Sequence, residues 1–329
     1  MVLIMKKIFI YLVFLSLNFV VLGASQAHDI VAGPEPMNFE QITSAFGMDF
    51  DNAEVKTEKL AENLYVLFGV GGNIVVSVGE DGVFIVDDQF PQVMPKIKEA
   101  IREIGGGDID FAVNTHWHFD HAEGNLILGP EGTWLVAHHN SREMMKQDNV
   151  INLVMVAYEQ KAYPESAWPD VTFKDEMQFH LNGQQIDLFH FGPAHTTGDT
   201  AVVFRGGNVV HMGDVFNTSG YPFIDSSNGG ELNGVIKFCQ EILKQIDSNT
   251  IVIPGHGPVS NYQGMQEYVE MLITVRDRIK ELIDQGKTLE EVIVANPTAE
   301  FDENRGNNKM FIDRAYHSCL LYTSDAADE

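Results

Sequence analysis

The sequence predicts an α/β fold: two packed mixed β-sheets with helices on their outer faces, in one domain. Three observations carry that prediction. Strand patterns cluster in two halves of the chain, with helical spacing interleaved between them. Paired apolar runs around Gly- and Asn-rich turns read as hairpins. No internal repeat or linker divides the chain, whose 329 residues can bury a substantial core.

Taken in order, residues 28–59 are polar and irregular, with Pro34, Pro36 and Gly47, and predict a loosely ordered leader or an edge element. Residues 63–68 form a strand pattern, and residues 73–78 and 83–87 a hairpin around Gly79-Glu80-Asp81-Gly82. Residues 94–104 have helical spacing that Gly105-Gly106-Gly107 ends. The apolar run 109–113 reads as a buried strand. A further strand covers 133–137 and a helix 141–147. Residues 149–170 hold Tyr158, Tyr163, Trp168 and two prolines in an uneven pattern that fits either a mobile flap or core packing. Strands 177–181 and 185–191 flank Asn182-Gly183, and 200–204 and 208–211 flank Gly206-Gly207. A Gly- and Ser-rich loop spans 217–230, followed by helix 232–246, strand 250–253 and a long amphipathic helix 262–285. Residues 289–295 and 309–317 read as closing helices.

The two ends read differently from the middle. Lys6-Lys7, an apolar run over 8–22 and then Gly23-Ala24-Ser25-Gln26-Ala27 have the order of a secretory signal peptide, with cleavage expected after Ala27. The mature protein is therefore expected in the periplasm or outside the cell, with no stable membrane anchor. Residues 319–329 resemble translated sequencing adapter, so the main-domain reading covers 60–318. Cys319 then leaves Cys239 as the one cysteine to place, inside an apolar-periodic stretch where it reads as core filler. A net charge of −26 repels polyphosphate backbones, so nucleic acid is excluded as a partner and a small molecule is expected instead.

Chemistry concentrates in Thr115-His116-Trp117-His118-Phe119-Asp120-His121, directly after the strand 109–113. Three imidazoles and a carboxylate crowded at a strand end would be costly in a dry interior unless a cation joins them. Imidazole and carboxylate are ligands that Zn²⁺ accepts, and catalytic zinc sites keep a position open for water. Three later segments occupy the same kind of place beyond a strand. They are Gly192-Pro193-Ala194-His195, Met212-Gly213-Asp214 and Pro254-Gly255-His256-Gly257. His138, His139, His180, His190 and His211 lack this setting and read as packing or supporting residues, His211 being nearest to the site.

This ordered set resembles the metallo-β-lactamase-fold superfamily, over residues 60–285. The resemblance implies an αβ/βα sandwich with the site along one edge of both sheets. It implies that His116, His118 and His195 hold one metal, that Asp120, His121 and His256 hold a second, and that Asp214 bridges them. Asp87 then resembles the family's structural aspartate and is expected, with His211, to orient ligands from behind. The implied cofactor is two Zn²⁺, with Fe or Mn possible.

Two divalent ions together lower the pKa of a bridging water until hydroxide exists near neutrality. Asp120 can orient that hydroxide and pass a proton to the leaving group, making it the expected catalytic residue. The aspartate at 214 disfavours the lactamase branch with a cysteine ligand and resembles glyoxalase-II-like thioesterases, lactonases and esterases. Asn217 departs from the lactonases' tyrosine, Glu123 from a common glycine, and glyoxalase II's basic cluster has no counterpart. The expectation is a binuclear zinc hydrolase of an ester, thioester, lactone or amide. A β-lactamase or a non-haem iron oxygenase of sulfur compounds are the alternatives. Asn217, as an oxyanion donor, and Tyr221 and Phe223, as an apolar wall, are the expected substrate contacts.

Overall fold

The computed structural model describes residues 33–325, so the expected signal segment 1–27 lies outside the described residues. The chain runs β1 (Pro36–Met37), α1 (Phe39–Ala45), β2 (Lys56–Ala61), β3 (Leu64–Phe68), β4 (Ile74–Gly79), β5 (Gly82–Val86) and α2 (Met94–Glu103). Next come β6 (Ile109–Asn114), α3 (Phe119–Ala122), α4 (Asn125–Glu131), β7 (Trp134–His138), α5 (His139–Met145), β8 (Asn149–Asn152), β9 (Ala157–Gln160) and β10 (Val171–Phe173). The second half holds β11 (Glu176–Leu181), β12 (Gln184–Phe189), β13 (Ala201–Phe204), β14 (Val209–His211), α6 (Leu232–Leu243), β15 (Ile251–Ile253) and β16 (Ser260–Asn261). It closes with α7 (Tyr262–Asp284), α8 (Leu289–Ala295), α9 (Asp302–Arg305) and α10 (Lys309–Asp325).

Among the described residues, one sheet has seven strands in the order β10-β7-β6-β5-β4-β3-β2, and a second has six in the order β11 to β16. Both are mixed. In the first, β5, β6, β7 and β10 run parallel and the rest antiparallel. In the second, only β14 and β15 pair in parallel. Alternation along the strands divides the apolar side chains between faces. Val66, Val75, Phe84, Val113 and Val136 point inward and meet Ile186, Leu188, Val202, Phe204 and Ile253 of the other sheet. On the outer face of the first sheet, Ile74, Val76 and Ile85 meet Ile97 and Ile101 of α2. Val203 and Val210 on the other outer face meet Phe238 of α6 and Leu272 of α7. Helices, sheet, sheet and helices form four layers, the αβ/βα sandwich. Each large side chain closed off in these layers contributes roughly 1.5–3 kcal/mol.

Two segments differ from the sequence expectation. Residues 28–59, read as a leader or edge element, hold from residue 33 onward α1 and the start of the edge strand β2. Asn38 caps that helix: its side chain accepts from Gln41 N at 3.0 Å, and Gln41 Oε1 accepts from Asn38 N at 2.9 Å. Residues 149–170 form the hairpin β8–β9, which with β1 makes a three-stranded sheet. Tyr158 and Tyr163 are buried against Phe119, Trp117 and Leu128, so core packing prevails over a free flap.

Candidate metal centre

Sheet geometry delivers the site. The ends of β5, β6, β14 and β15 and the turn between β12 and β13 bring Asp87, residues 116–121, Asp214, His256 and His195 to one edge of the sandwich. Three overlapping groups of close ligand atoms result: His116, His118 and His195; His116, His121 and Asp214; Asp120, His121 and His256. All seven predicted ligands are brought together.

The imidazoles are fixed by what their outer nitrogens bind. Thr115 donates its N–H and its hydroxyl to the Asp87 carboxylate at 2.7 and 2.9 Å, so its oxygen can accept only from His116 Nδ1, 3.0 Å away. His121 Nδ1 donates at 2.7 Å to Asp87 Oδ2, the oxygen that also accepts the Thr115 hydroxyl. His118 Nε2 donates to Asp225 at 2.9 Å, and His195 Nδ1 to the Phe223 carbonyl at 2.8 Å. In the neutral form of each ring the inner nitrogen is thereby the one that carries the lone pair. His118 Nδ1 faces His195 Nε2 at 2.9 Å, and His121 Nε2 faces His256 Nε2 at 3.1 Å. The inner nitrogen of His116 and one Asp214 oxygen have no hydrogen-bond partner although both are buried. Lone pairs this close repel without a cation between them. The edge of a tetrahedron with zinc–nitrogen arms is about 3.3 Å, so these spacings fit a divalent ion. Asp214 reaches both sides, with Oδ1 3.1 Å from His121 and Oδ2 3.8 Å from His195. The residues fit a metal-binding cluster.

Charge within the cluster is arranged to match. Burial, helped by His121 and His195, pushes the His116 imidazole well below its usual range. Burial opposes charge on His121 too, but Asp214, Asp120 and Asp87 overcome it and raise that imidazole well above the ordinary value. For Asp120 burial is again overcome, here by His121 and His256, which draw the carboxyl down to about 2. Asp120 is therefore ionised at neutral pH, with Oδ2 3.1 Å from His256 Nε2.

Glycines let backbone close over the cluster. A Cβ on Gly72 would sit 2.1 Å from the His121 ring, and one on Gly255 1.9 Å from an Asp214 oxygen. Asn73 ties the two straps, donating its side chain to the carbonyls of Pro254 and Gly257 at 2.9 Å each. A groove of about 460 Å³ opens beside His256, lined by Phe68, Val70, Ser219, Pro258 and Val259, with Lys56 and Glu58 at its rim.

The expected supporting residues lie where they can act. Asp87 is fully buried and adopts a left-handed backbone (φ 64°) that aims both oxygens at the cluster. His211 donates to the Asn73 carbonyl at 2.8 Å and accepts from Gly213 N at 3.0 Å, so it braces backbone on either side of the site and touches no ligand side chain. The Phe223 ring lies 5.6 Å from His195 and 6.0 Å from His118. Asn217 pairs with His256 through backbone, while its side-chain oxygen accepts from Ser219 at 2.8 and 2.9 Å. Tyr221 is a correction: it forms no wall of the site. Its ring stacks on Phe311 and its hydroxyl donates to Asp302 at 2.8 Å, because the closing helices offer an apolar partner and an acceptor. Asp225 escaped the sequence reading. An acidic residue after two apolar ones, in a loop near metal-binding histidines, is the signal that could have found it, since such histidines need an outer acceptor.

Comparison with known proteins agrees with this arrangement. A sequence profile of the metallo-beta-lactamase superfamily matches residues 60–272. The probable metallo-hydrolase MJ0888 of Methanocaldococcus jannaschii is 22% identical over 205 residues, covering 61% of this chain and 90% of that protein. Among solved structures, a metallo-beta-lactamase from Pontibacter korlensis superposes with a TM-score of 0.55 at 16% identity, covering 67% of this chain and 99% of that one. The DIM-1 metallo-beta-lactamase gives 0.54 at 21% identity, covering 67% and 98%. These structural likenesses speak for the fold, and the profile, spanning more than half of the chain, shows that it belongs to the metallo-beta-lactamase superfamily of metal-binding hydrolases.

Proposed function

We propose that the chain is an exported binuclear zinc hydrolase that opens an ester, thioester, lactone or amide bond in a small molecule. One observation carries the reading: four imidazoles have their outer N–H groups committed to protein acceptors, and three of their inner nitrogens reach an Asp214 carboxylate or a neighbouring imidazole within 3.1 Å. When bound, the ions would supply Lewis acidity toward the carbonyl and an acidified water.

The chain's own residues do the remainder. His116, His118 and His195 would hold one ion, Asp120, His121 and His256 the other, with Asp214 between. The ionised Asp120 accepts the proton of the attacking water and returns it to the leaving group. Phe223 covers the His118–His195 side and keeps bulk water out, which strengthens every electrostatic contact inside. The amide of Asn217, whose backbone pairs with His256, would donate to the developing oxyanion. The groove along Phe68 and Val70 takes one arm of the substrate, with apolar side chains and the charged pair Lys56 and Glu58 both lining it. Export rests on the basic, apolar and small-residue order of the first 27 residues.

Elemental analysis of the purified protein, followed by a panel of ester, thioester, lactone and β-lactam substrates, tests the proposal. Two zinc ions per chain and turnover of an acyl substrate are expected. His118→Ala and Asp120→Ala should each cut kcat/KM by 10²-fold or more, on the order of one lost acid–base or electrophilic group. Near-normal rates in both variants would overturn the mechanism, and iron with no hydrolysis would point to the oxygenase alternative. N-terminal sequencing of the secreted protein is expected to begin at His28.

A further inference from the structure

We infer that Asp225, with Asn228 behind it, positions His118 for the first metal, and that the loop 223–230 is ordered by the same ion. The inference rests on the metal reading above and goes beyond it in coupling an ion to a segment that walls the site.

His116 and His121 are oriented from the first sheet, through Thr115 and Asp87. His118 and His195 are oriented from one loop instead, through the Asp225 carboxylate and the Phe223 carbonyl. Asp225 is fully buried, and among the described residues no lysine or arginine pairs with its carboxylate. Its side-chain partners are His118 Nε2 at 2.9 Å and the Asn228 amide at 2.8 and 3.0 Å. A buried anion of this kind is compensated when the imidazole it touches carries positive charge on its far side, which an ion at His118 Nδ1 supplies.

The loop is held against the ligands by backbone as well. Asp225 N donates to the His195 carbonyl at 3.0 Å, Gly230 N to the Asp225 carbonyl at 2.8 Å and Glu231 N to the Ala194 carbonyl at 2.7 Å. A Cβ on Gly230 would lie 2.3 Å from the His195 carbonyl, so the contact admits only glycine. Asn228 also donates to the Val150 carbonyl at 2.9 Å, which fastens the loop to the hairpin β8–β9. Loop order and ion affinity therefore share the same contacts, and whatever strengthens one strengthens the other.

The test uses the full secreted chain, stripped of metal and titrated with Zn²⁺ against a chromophoric chelator, with amide hydrogen exchange read over residues 217–230. Wild type is expected to bind two ions and to slow exchange across 223–230 as the ions enter. Asp225→Ala should weaken one ion by roughly 10- to 100-fold, leave the other near its wild-type affinity and abolish the slowing. Asp225→Asn, which keeps an acceptor oxygen, should fall between. Asn228→Ala removes the brace without touching a ligand and should shift the same ion in the same direction by less. Unchanged affinity in Asp225→Ala and Asn228→Ala, equal weakening of both ions, or a wild-type loop that exchanges alike with and without Zn²⁺ would each overturn the coupling. A wild-type chain that binds no zinc would instead sink the binuclear reading itself.

Discussion

At the scale of single residues, the molecule separates the histidines gathered at the candidate metal centre from histidines that stay neutral inside the fold. His138 shows the second kind. Its Nδ1 accepts from Asn140 N at 3.2 Å, its Nε2 donates to the Lys174 carbonyl at 2.8 Å, and its ring stacks on His190 at 3.7 Å. Burial first, and then the neighbouring His190, push this imidazole down to about 4. The sign follows from linkage. Between the folded value and the ordinary 6.5, the unfolded chain binds a proton that the folded chain does not, so stability from His138 is complete above pH 6.5 and is lost as pH falls toward 4. The loss is about 2–3 kcal/mol. Thermal melts of metal-free protein at pH 4 to 7 should show a steeper acid slope in wild type than in His138→Gln, and parallel slopes would refute the assignment. The same scale shows what a sequence exposes. Ligand side chains were readable because His116 to His121 are adjacent in the chain and their chemistry is plain. Their outer partners were not: Asp225 lies 107 residues from His118, and the Phe223 acceptor is a backbone carbonyl that any residue would offer.

At the scale of elements, the backbone carries its strain at the tip of the hairpin β8–β9. Val154 has φ 70°, a left-handed conformation that a β-branched side chain adopts only at a cost of roughly 1–3 kcal/mol. Its N–H donates to Asn152 Oδ1 at 2.9 Å, which helps to hold the turn, and the neighbouring Met155 is 75% exposed. Replacing the valine by glycine removes the clash but adds freedom to the unfolded chain, so Val154→Gly should stabilise by only about 1 kcal/mol. Val154→Asn, which tolerates this conformation, should stabilise by a similar amount. Urea midpoints would register either shift, and a lower midpoint in both variants would show that the turn is not strained. Strained turns of this kind are illegible in sequence, because nothing in Leu153-Val154-Met155-Val156 marks a reversal. The hairpin β11–β12 was legible for the opposite reason: Asn182 and Gly183 take φ 51° and 72°, the pair of values for which Asn-Gly is suited. Helix α3 was missed because it is a single turn, and α4 because it is short and holds Gly129 and Pro130, residues that read as punctuation. The long helices and the inner strands of both sheets were recovered because their periodicity follows burial directly, whereas the edge strands β2, β10 and β16, polar or very short, were not.

At the scale of the whole molecule, the centre is where the two sheets are joined by polar chemistry. The first sheet supplies residues 116–121 and the second supplies His195, Asp214 and His256. Asn73 already crosses between them, and the inner apolar layer holds the sheets elsewhere. An ion bound to ligands from both sheets adds a link that exists only in the folded state, so its binding energy appears as stability of the whole sandwich. At free zinc about a thousandfold above the dissociation constant, one site contributes about 4 kcal/mol. For a domain of this size, that corresponds to a melting temperature lower by roughly 8–16 °C after chelation. The shift should appear as displacement of one cooperative transition, and zinc added back should reverse it. The effect should shrink as pH falls, because protons compete for the imidazole nitrogens that the ions require, first at His121 and His256, which despite burial the neighbouring carboxylates hold above the ordinary value. Asp214→Asn keeps the shape of the side chain but reduces its charge, and should lose more than half of the zinc-dependent shift if this carboxylate serves both ions. Differential scanning fluorimetry with and without chelator, in wild type and Asp214→Asn, measures all of this. A melting curve indifferent to chelation would show that the sheets hold together without the ions and that the lone pairs at the edge are balanced by protons instead.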